Sequence, residues 1–308
     1  MTAPILLVDA NNLGFRSAFA NRHLSYNGMS TGLLFGFLKS LIMFYEEWPG
    51  AHIIVAFESK SRRRMAESTK AIEDGILTKE LGAYKENRKK DGRQDEDEYQ
   101  NALSQLNELD EVLPWTLAQC VRVDGFEADD VIGSYSKKAV EMGFEAIVIS
   151  SDQDFYQLIN KKVHCYDAMK KELWDLRRFQ LEFGIEPEQW VEVGALSGDS
   201  GDNIHGVPGI GIKTALKLIE THKDTESVIE YLTGVKEEGK KLKKRESSIL
   251  EFQNRVRLAK SLKAIDCDVD VPEIGPNRPD KKKFVEWLGQ VGFKSLIDRA
   301  NILTRRRA

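Results

Sequence analysis

PILLVDANN (4–12) decides how this chain folds. An unbroken apolar run from Ile5 to Val8 closes on an aspartate and gives way to asparagines. A strand buried on both faces reads this way, because covering helices leave the sheet no polar side. Working outward, HIIVAFE (52–58), a stretch near 118–123, AIVISS (146–151) and KVHCYD (162–167) repeat the pattern. Between them, Leu33, Phe37, Leu41 and Phe44 recur at helical spacing within 31–48. A mostly polar helix is expected from Gln94 to Leu113, ending before Pro114, and another from about Ala128 to Met142. Alternating strands and helices predict an α/β fold: a mostly parallel central sheet with helices on both faces. Beyond about residue 185 strand signals stop, and helices are expected at 186–197, 212–221, 246–263 and 281–299. The chain therefore divides into an α/β part over 1–180 and a helical part over 181–308.

Composition narrows the class. At 308 residues, with 41% hydrophobic and 31% charged residues, the chain can bury a core and remain soluble. Cys120, Cys165 and Cys267 are too few and too scattered for a disulfide framework or a zinc site, which suits a reducing cytoplasm. No apolar stretch approaches membrane-spanning length, and the opening residues read as a core strand and not as a leader. A net charge of −4 conceals local excesses of basic residues. SKSRRR (59–64), YKENRKK (84–90), VKEEGKKLKKR (235–245), DKKK (280–283) and RRR (305–307) are patches that suit a polyanion.

Nine acids fall at five places, each the end of an expected strand or the start of a helix: Asp9; Glu58; Glu127, Asp129 and Asp130; Asp152 and Asp154; Asp199 and Asp202. Taken singly, Asp9 reads as an Asx turn or helix cap, Glu58 as a solvated loop acid, and the FEADD group as first-turn acids that complement a helix dipole. Asp199 and Asp202, flanked by Gly198 and Gly201, fit an ordinary Gly/Asp turn. Spacing adds geometry: Glu127 and Asp130 share a helix face, and Asp152 and Asp154 share one side of an extended strand end. Carboxyl ends of parallel strands converge. Acids gathered there repel one another unless hard, oxygen-binding divalent cations lie between them.

The last acids run into GVPGIGIKTALKLI (206–219). A glycine turn that opens a helix exposes backbone N–H groups to phosphate. Gly209, Gly211 and Thr214 are candidates for that contact, with charge from Lys213 and Lys217. The run resembles a helix–hairpin–helix, which grips duplex backbone without reading sequence; it is not a nucleotide-triphosphate loop. In Tyr84-Lys85-Glu86-Asn87-Arg88, the cations suit a scissile phosphate and Tyr84 suits a base-stacking surface, although a solvated basic surface has the same spacing. KKDGRQDEDEY (89–99) reads as the mobile part of such a gate.

In order along the chain, VDANNLGFR, FESK, AYKENR, GFEADDVIG, SSDQDF and GDSGDNIHGVPGIGIKTA closely resemble the structure-specific 5′ nuclease family of flap endonucleases and of phage and bacterial 5′–3′ exonucleases. The resemblance spans about residues 4–220. It implies an α/β nuclease core, a helical arch at about 80–115 and a helix–hairpin–helix at about 199–221. It further implies cleavage of phosphodiester bonds at 5′ flaps and junctions of DNA, in replication or repair, by a monomeric cytoplasmic enzyme. Carried over residue by residue, Asp9, Glu58, Glu127, Asp129 and Asp152 hold one Mg²⁺, and Asp154, Asp199 and Asp202 a second. Mn²⁺ is expected to substitute, and Asp130 serves directly or through water. Lys85 matches the arch lysine, Arg88 is a second catalytic cation, and Arg16 contacts substrate phosphate. A K⁺ ion near 206–212 belongs to the same expectation. Glu58 stands where phage and bacterial members usually carry aspartate. No polymerase domain follows, so a freestanding nuclease is expected. The alternatives are a junction-binding protein without chemistry and a PIN-type ribonuclease; the number of acids and the glycine hairpin favour the DNA nuclease.

Overall fold

The computed structural model describes residues 3–89, 96–275 and 277–305, with the backbone alone at Arg88 and Lys89. Its strands are β1 (Ile5–Asp9), β2 (Ser25–Tyr26), β3 (Met29–Ser30), β4 (His52–Ala56), β5 (Gln119–Val121), β6 (Ala146–Ile149), β7 (Val163–Asp167) and β8 (Glu172–Trp174). β2 and β3 form a small separate hairpin; the other six make one sheet in the order β5-β4-β1-β6-β7-β8. All of its pairings are parallel except β7 with β8. The expected α/β architecture is therefore present. The antiparallel edge strand β8 was not foreseen, since its turn has no glycine or asparagine to signal it. Asp167 instead accepts the amides of Met169 and Lys170, and Lys171 adopts φ 55°.

Alternation along the central strand sorts the core onto two faces. Ile5 and Leu7 join Ile54, Ala56, Val148, the helix Ala128–Glu141 and the helices between 190 and 263. Leu6 and Val8 join Ile53, Val55, Ile149 and the helices Gly32–Glu47 and Glu96–Val112 on the other face. The C-terminal segment returns to this second face, where Phe284, Trp287, Leu288, Phe293 and Leu303 are buried against the N-terminal helices. Trp287 Nε1 donates to Glu108 Oε1 at 2.7 Å. Residues 281–304 thus clasp the sheet on the side opposite helices 190–263. Leu117 N donates to Leu303 O at 2.7 Å, and Ala3, Pro4 and Arg305 line one cavity beside the amino ends of β1 and β4.

Of the expected arch, Glu96–Val112 is a helix whose Ala102, Leu106 and Leu109 are buried in the second core; residues 90–95 lie outside the described residues. The helix Arg62–Glu73 starts within the basic run SKSRRR, where no helix is expected from the sequence. The expected helices 246–263 and 281–299 each divide, the first at Phe252 and the second after Gln290. Among the described residues no helix is long and apolar enough to cross a membrane.

Candidate active site

The parallel register brings the acids to one edge. Asp9 ends β1 level with Ala56 of β4, two residues before Glu58, and Val8 pairs with Ile149 just ahead of Ser150. Asp9 caps the following helix by accepting Asn12 N at 2.9 Å, while its other oxygen accepts Ser150 Oγ at 3.2 Å. Asp152 caps the next turn through Asp154 N at 2.9 Å. The first is the Asx or capping role that Asp9 suggests singly, and the second is its counterpart at Asp152. They also fix the carboxylates at the carboxyl ends of adjacent strands.

Crowding shows in their acidities. Burial, with the charges of Glu58 and Asp152, pushes Asp9 up to about 7. Burial raises Asp129 well above the carboxylate range, helped by Asp152, Glu58 and Asp9. Glu58 is raised by burial and Glu127, against the pull of Lys85. Asp152 rises through burial too, with Asp202 and Asp199 nearby. Burial pushes Asp154 up to about 7 even though Lys263 opposes it. Acids that penalise one another's charge in this way are an oxygen-only donor set with a deficit of positive charge. A hard divalent cation fits such a set.

Resident cations fill part of that deficit. Lys85 Nζ lies 2.8 Å from Glu127 Oε1, 3.3 Å from Glu58 Oε1 and 3.9 Å from Asp202 Oδ2. These carboxylates hold its pKa above that of a free lysine although burial opposes the charge. Lys263 Nζ bridges Asp154 and Asp199, the latter at 2.8 Å. Burial pulls Asp199 upward, but the charge of Lys263 and the amides of Gly201 and Asp202 outweigh it and hold Asp199 below the usual range. Among the described residues no group of three or more His, Cys, Asp or Glu side chains stands ready as a metal cage; these ammonium groups lie among the acids instead.

Asp130 has a different place from the other acids. Arg64, only 2% exposed, reaches both of its oxygens at 2.8 Å and Glu127 Oε2 at 3.0 Å. Asp130 Oδ1 also accepts Asp266 N at 2.9 Å. Both oxygens of Asp130 are thus held by a buried guanidinium, which also reaches Glu127. Part of the basic run SKSRRR is drawn into the same arrangement, while Lys60 and Arg62 stay exposed. Arg63 donates to the carbonyls of Ser261 and Ala264, and Arg64 to those of Leu262 and Ala264, so both turn inward. The missed signal is the buried stripe Arg64, Ser68, Ala71, at helical spacing. Lys263 carries a similar signal, since it shares the apolar stripe of Val256, Ala259 and Leu262.

Tyr84 does not offer an exposed stacking face. Its ring is buried and its hydroxyl lies 2.8 Å from Glu127 Oε2 and 3.1 Å from Asp202 Oδ2. The side chain of Arg88 lies outside the described residues. Arg16 is half-exposed and pairs at 3.6 Å with Asp167 at the end of β7, two strands from the one that Asp9 ends.

Trp190–Ser197, a turn, and Ile212–His222 form the hairpin element. Gly198 and Gly206 meet back to back, each so close to the other's backbone that a Cβ would fall 2.4 Å from an amide nitrogen. Gly209, at φ 81°, and Gly211, the residue before the second helix, have open space beside them. Lys213 and Lys217 are exposed there, with Thr214 half-buried between them. The same turn is laced to the segment carrying Lys85. Asn203 Nδ2 donates to Leu81 O and Ala83 O, Lys85 N to Asp202 O at 2.8 Å, and Asn87 Nδ2 to Ser200 O.

A family model described as 5′-3′ exonuclease, N-terminal resolvase-like domain, matches residues 4–184. One described as 5′-3′ exonuclease, C-terminal SAM fold, matches residues 185–281. DNA polymerase I of Bacillus subtilis (strain 168) is 31% identical over 304 residues, covering 96% of this chain and 32% of that protein. The thermostable DNA polymerase I of Thermus aquaticus is 29% identical over 312 residues, covering 99% and 34%. The chain spans about a third of the length of these curated relatives. Among solved structures, T5 5′-exonuclease with bound divalent metal ions (zinc) superposes with TM-score 0.68 at 20% identity, over 96% of each chain. The catalytic core of Rad2 in complex with DNA substrate gives 0.60 at 14% identity, over 97% of this chain and 91% of that one. At such identities the likeness is one of fold.

Proposed function

Because the chain belongs to the 5′–3′ exonuclease family of phosphodiester-hydrolysing nucleases, we propose that it cleaves DNA at or near the junction of a 5′ single strand with duplex. It acts both as a flap endonuclease and as a 5′–3′ exonuclease in replication or repair. The observation that carries this reading is the meeting of Asp9, Glu58, Asp129 and Asp152 at one sheet edge, where their charges penalise one another and Lys85 reaches in. Asp9, Glu58, Glu127, Asp129 and Asp152 would hold one Mg²⁺, and Asp154, Asp199 and Asp202 the second, with Mn²⁺ able to substitute. When bound, the ions supply Lewis-acid charge that eases deprotonation of an attacking water and offsets charge on the leaving oxygen.

The chain's own residues do the rest. Lys85 places an ammonium beside the same carboxylates, so a phosphate arriving there meets a donor already aimed at developing charge. Tyr84 holds Glu127 and Asp202 in place through its hydroxyl. The amides ahead of Ile212, with Lys213 and Lys217, grip downstream duplex backbone. Carbonyls within 206–212 would take a K⁺ ion. Arg16 would touch substrate phosphate once freed from Asp167. We place the protein in the cytoplasm as a monomer. The test is cleavage of 5′-end-labelled flap, nicked and hairpin DNA with and without Mg²⁺. Products from the 5′ junction that need Mg²⁺, and that vanish in Asp152→Asn, are expected. Undiminished turnover by Asp152→Asn across Mg²⁺ concentrations would overturn the ligand assignment.

A further inference from the structure

Lys263 belongs to none of the sequence patterns that announce the site, yet it ends in the middle of the acids assigned to a second ion. It is the last residue of the helix Gln253–Lys263. Its side chain is 7% exposed, and its ammonium bridges Asp154 and Asp199. Three features fix it there. The carbonyls at the end of its helix receive four guanidinium hydrogen bonds: Arg63 to Ser261 at 2.8 Å and to Ala264 at 3.0 Å, Arg64 to Leu262 at 2.9 Å and to Ala264 at 3.1 Å. Gln157 brackets the backbone, donating to Lys263 O and accepting Ile265 N. The stem crosses Gly194 so closely that a Cβ there would lie 3.1 Å from Lys263 Cε. Glycine within a helix forfeits stability relative to alanine. At Gly194 it makes room for the lysine to reach the acids.

On the reading of this edge as a two-ion nuclease site, we propose that Lys263 is a tethered cation that competes with the second divalent ion for Asp154 and Asp199. An ammonium held by both carboxylates cannot leave the neighbourhood as a solvent ion can. A divalent ion that binds these oxygens must therefore displace it or share them with it. Occupancy of the second position is then set by an internal lysine as well as by ion concentration, and Lys263 is a positioning residue for the ion and not a group that meets substrate. The stem places the charge, so an isosteric change removes the competition without opening a cavity.

The experiment titrates Mn²⁺ into the full, DNA-free chain, with bound ion counted by calorimetry and by loss of the free-ion paramagnetic resonance signal. Lys263→Met and Lys263→Gln are compared with Lys263→Arg and the parent; either neutral variant carries the test if the other does not fold by circular dichroism. The parent and Lys263→Arg are expected to take up one Mn²⁺ readily and a second only weakly. The neutral variants should bind the second tighter by about tenfold or more, as expected when a like charge leaves the side of an ion. The same second-ion affinity in neutral variants and parent would overturn the role of Lys263 and leave the metal reading standing. No Mn²⁺ uptake by any of the four would overturn the metal reading, and this inference with it.

Discussion

A guanidinium buried between Glu127 and Asp130 holds the helix that presents Asp129, and through its other nitrogens the end of the helix that carries Lys263. Removing one partner of a buried charge group leaves the others uncompensated, at a cost of about 3–5 kcal/mol. Arg64→Met is therefore expected to lower the unfolding free energy by that much. Arg64→Lys should recover only part of it, since one ammonium cannot reproduce a fork that meets two acids and two carbonyls. Urea unfolding of the three proteins checks this. Lys85 is the opposite kind of cation, half-buried and shared among acids proposed to change partners during the reaction. Lys85→Ala should depress the single-turnover rate far more than DNA affinity. Lost affinity with unchanged chemistry would make Lys85 a plain phosphate anchor. Most of these acids were legible because they end strands, and strand ends converge whatever the loops do. Arg64 and Lys263 were not, because a charge inside an apolar stripe reads as a surface residue until its partner, far off in sequence, is known.

The hairpin element was legible as an element, since glycines in a turn ahead of a helix leave few other readings. Its coupling to the segment 81–87 was not, because Asn203 and Asn87 bind backbone carbonyls, which no side-chain pattern records. The open glycine turn and exposed Lys213 predict a duplex grip of simple form. Each phosphate neutralised adds about 0.9 to the slope of log affinity against log salt. Lys213→Ala is accordingly expected to reduce that slope by about one, equally for flap and plain duplex, when titrated with Ca²⁺ in place of Mg²⁺. An unchanged slope would return the hairpin to a structural turn and move the grip to the basic run 235–245. The edge strand β8 and the helix Arg62–Glu73 escaped notice for a related reason. Each is set by caps and turns made from lysines, aspartates and serines that serve as well in loops.

Across the whole molecule, the acid edge makes stability depend on pH and on ions together. Asp9 and Asp154 sit near 7 when folded, against an ordinary value of 3.8. Between about pH 4 and pH 7 the folded chain keeps protons there that the unfolded chain has released. Their contribution is complete below the unfolded value and is lost as pH rises through the folded one. Divalent ions compete with those protons, so Ca²⁺ should raise the melting temperature more at about pH 8 than at about pH 5.5. An equal shift at both pH values would mean that the ion binds elsewhere.

The clasp formed by residues 281–304 carries a mechanical consequence. Ala3 and Arg305 line one cavity at the amino ends of the strands, while the acids stand at the carboxyl ends. A molecule fixed to a surface by either end therefore presents its acid edge to solution. Drawn apart at Ala3 and Arg305, it yields first at the Leu117–Leu303 hydrogen bond and the short helix Ala300–Thr304, which peel one contact at a time. The parallel ladders of β1, central in its sheet and paired on both sides, carry the same load in shear and hold longer. In an optical trap the clasp should open at lower force, as a separate step of defined length, ahead of the sheet.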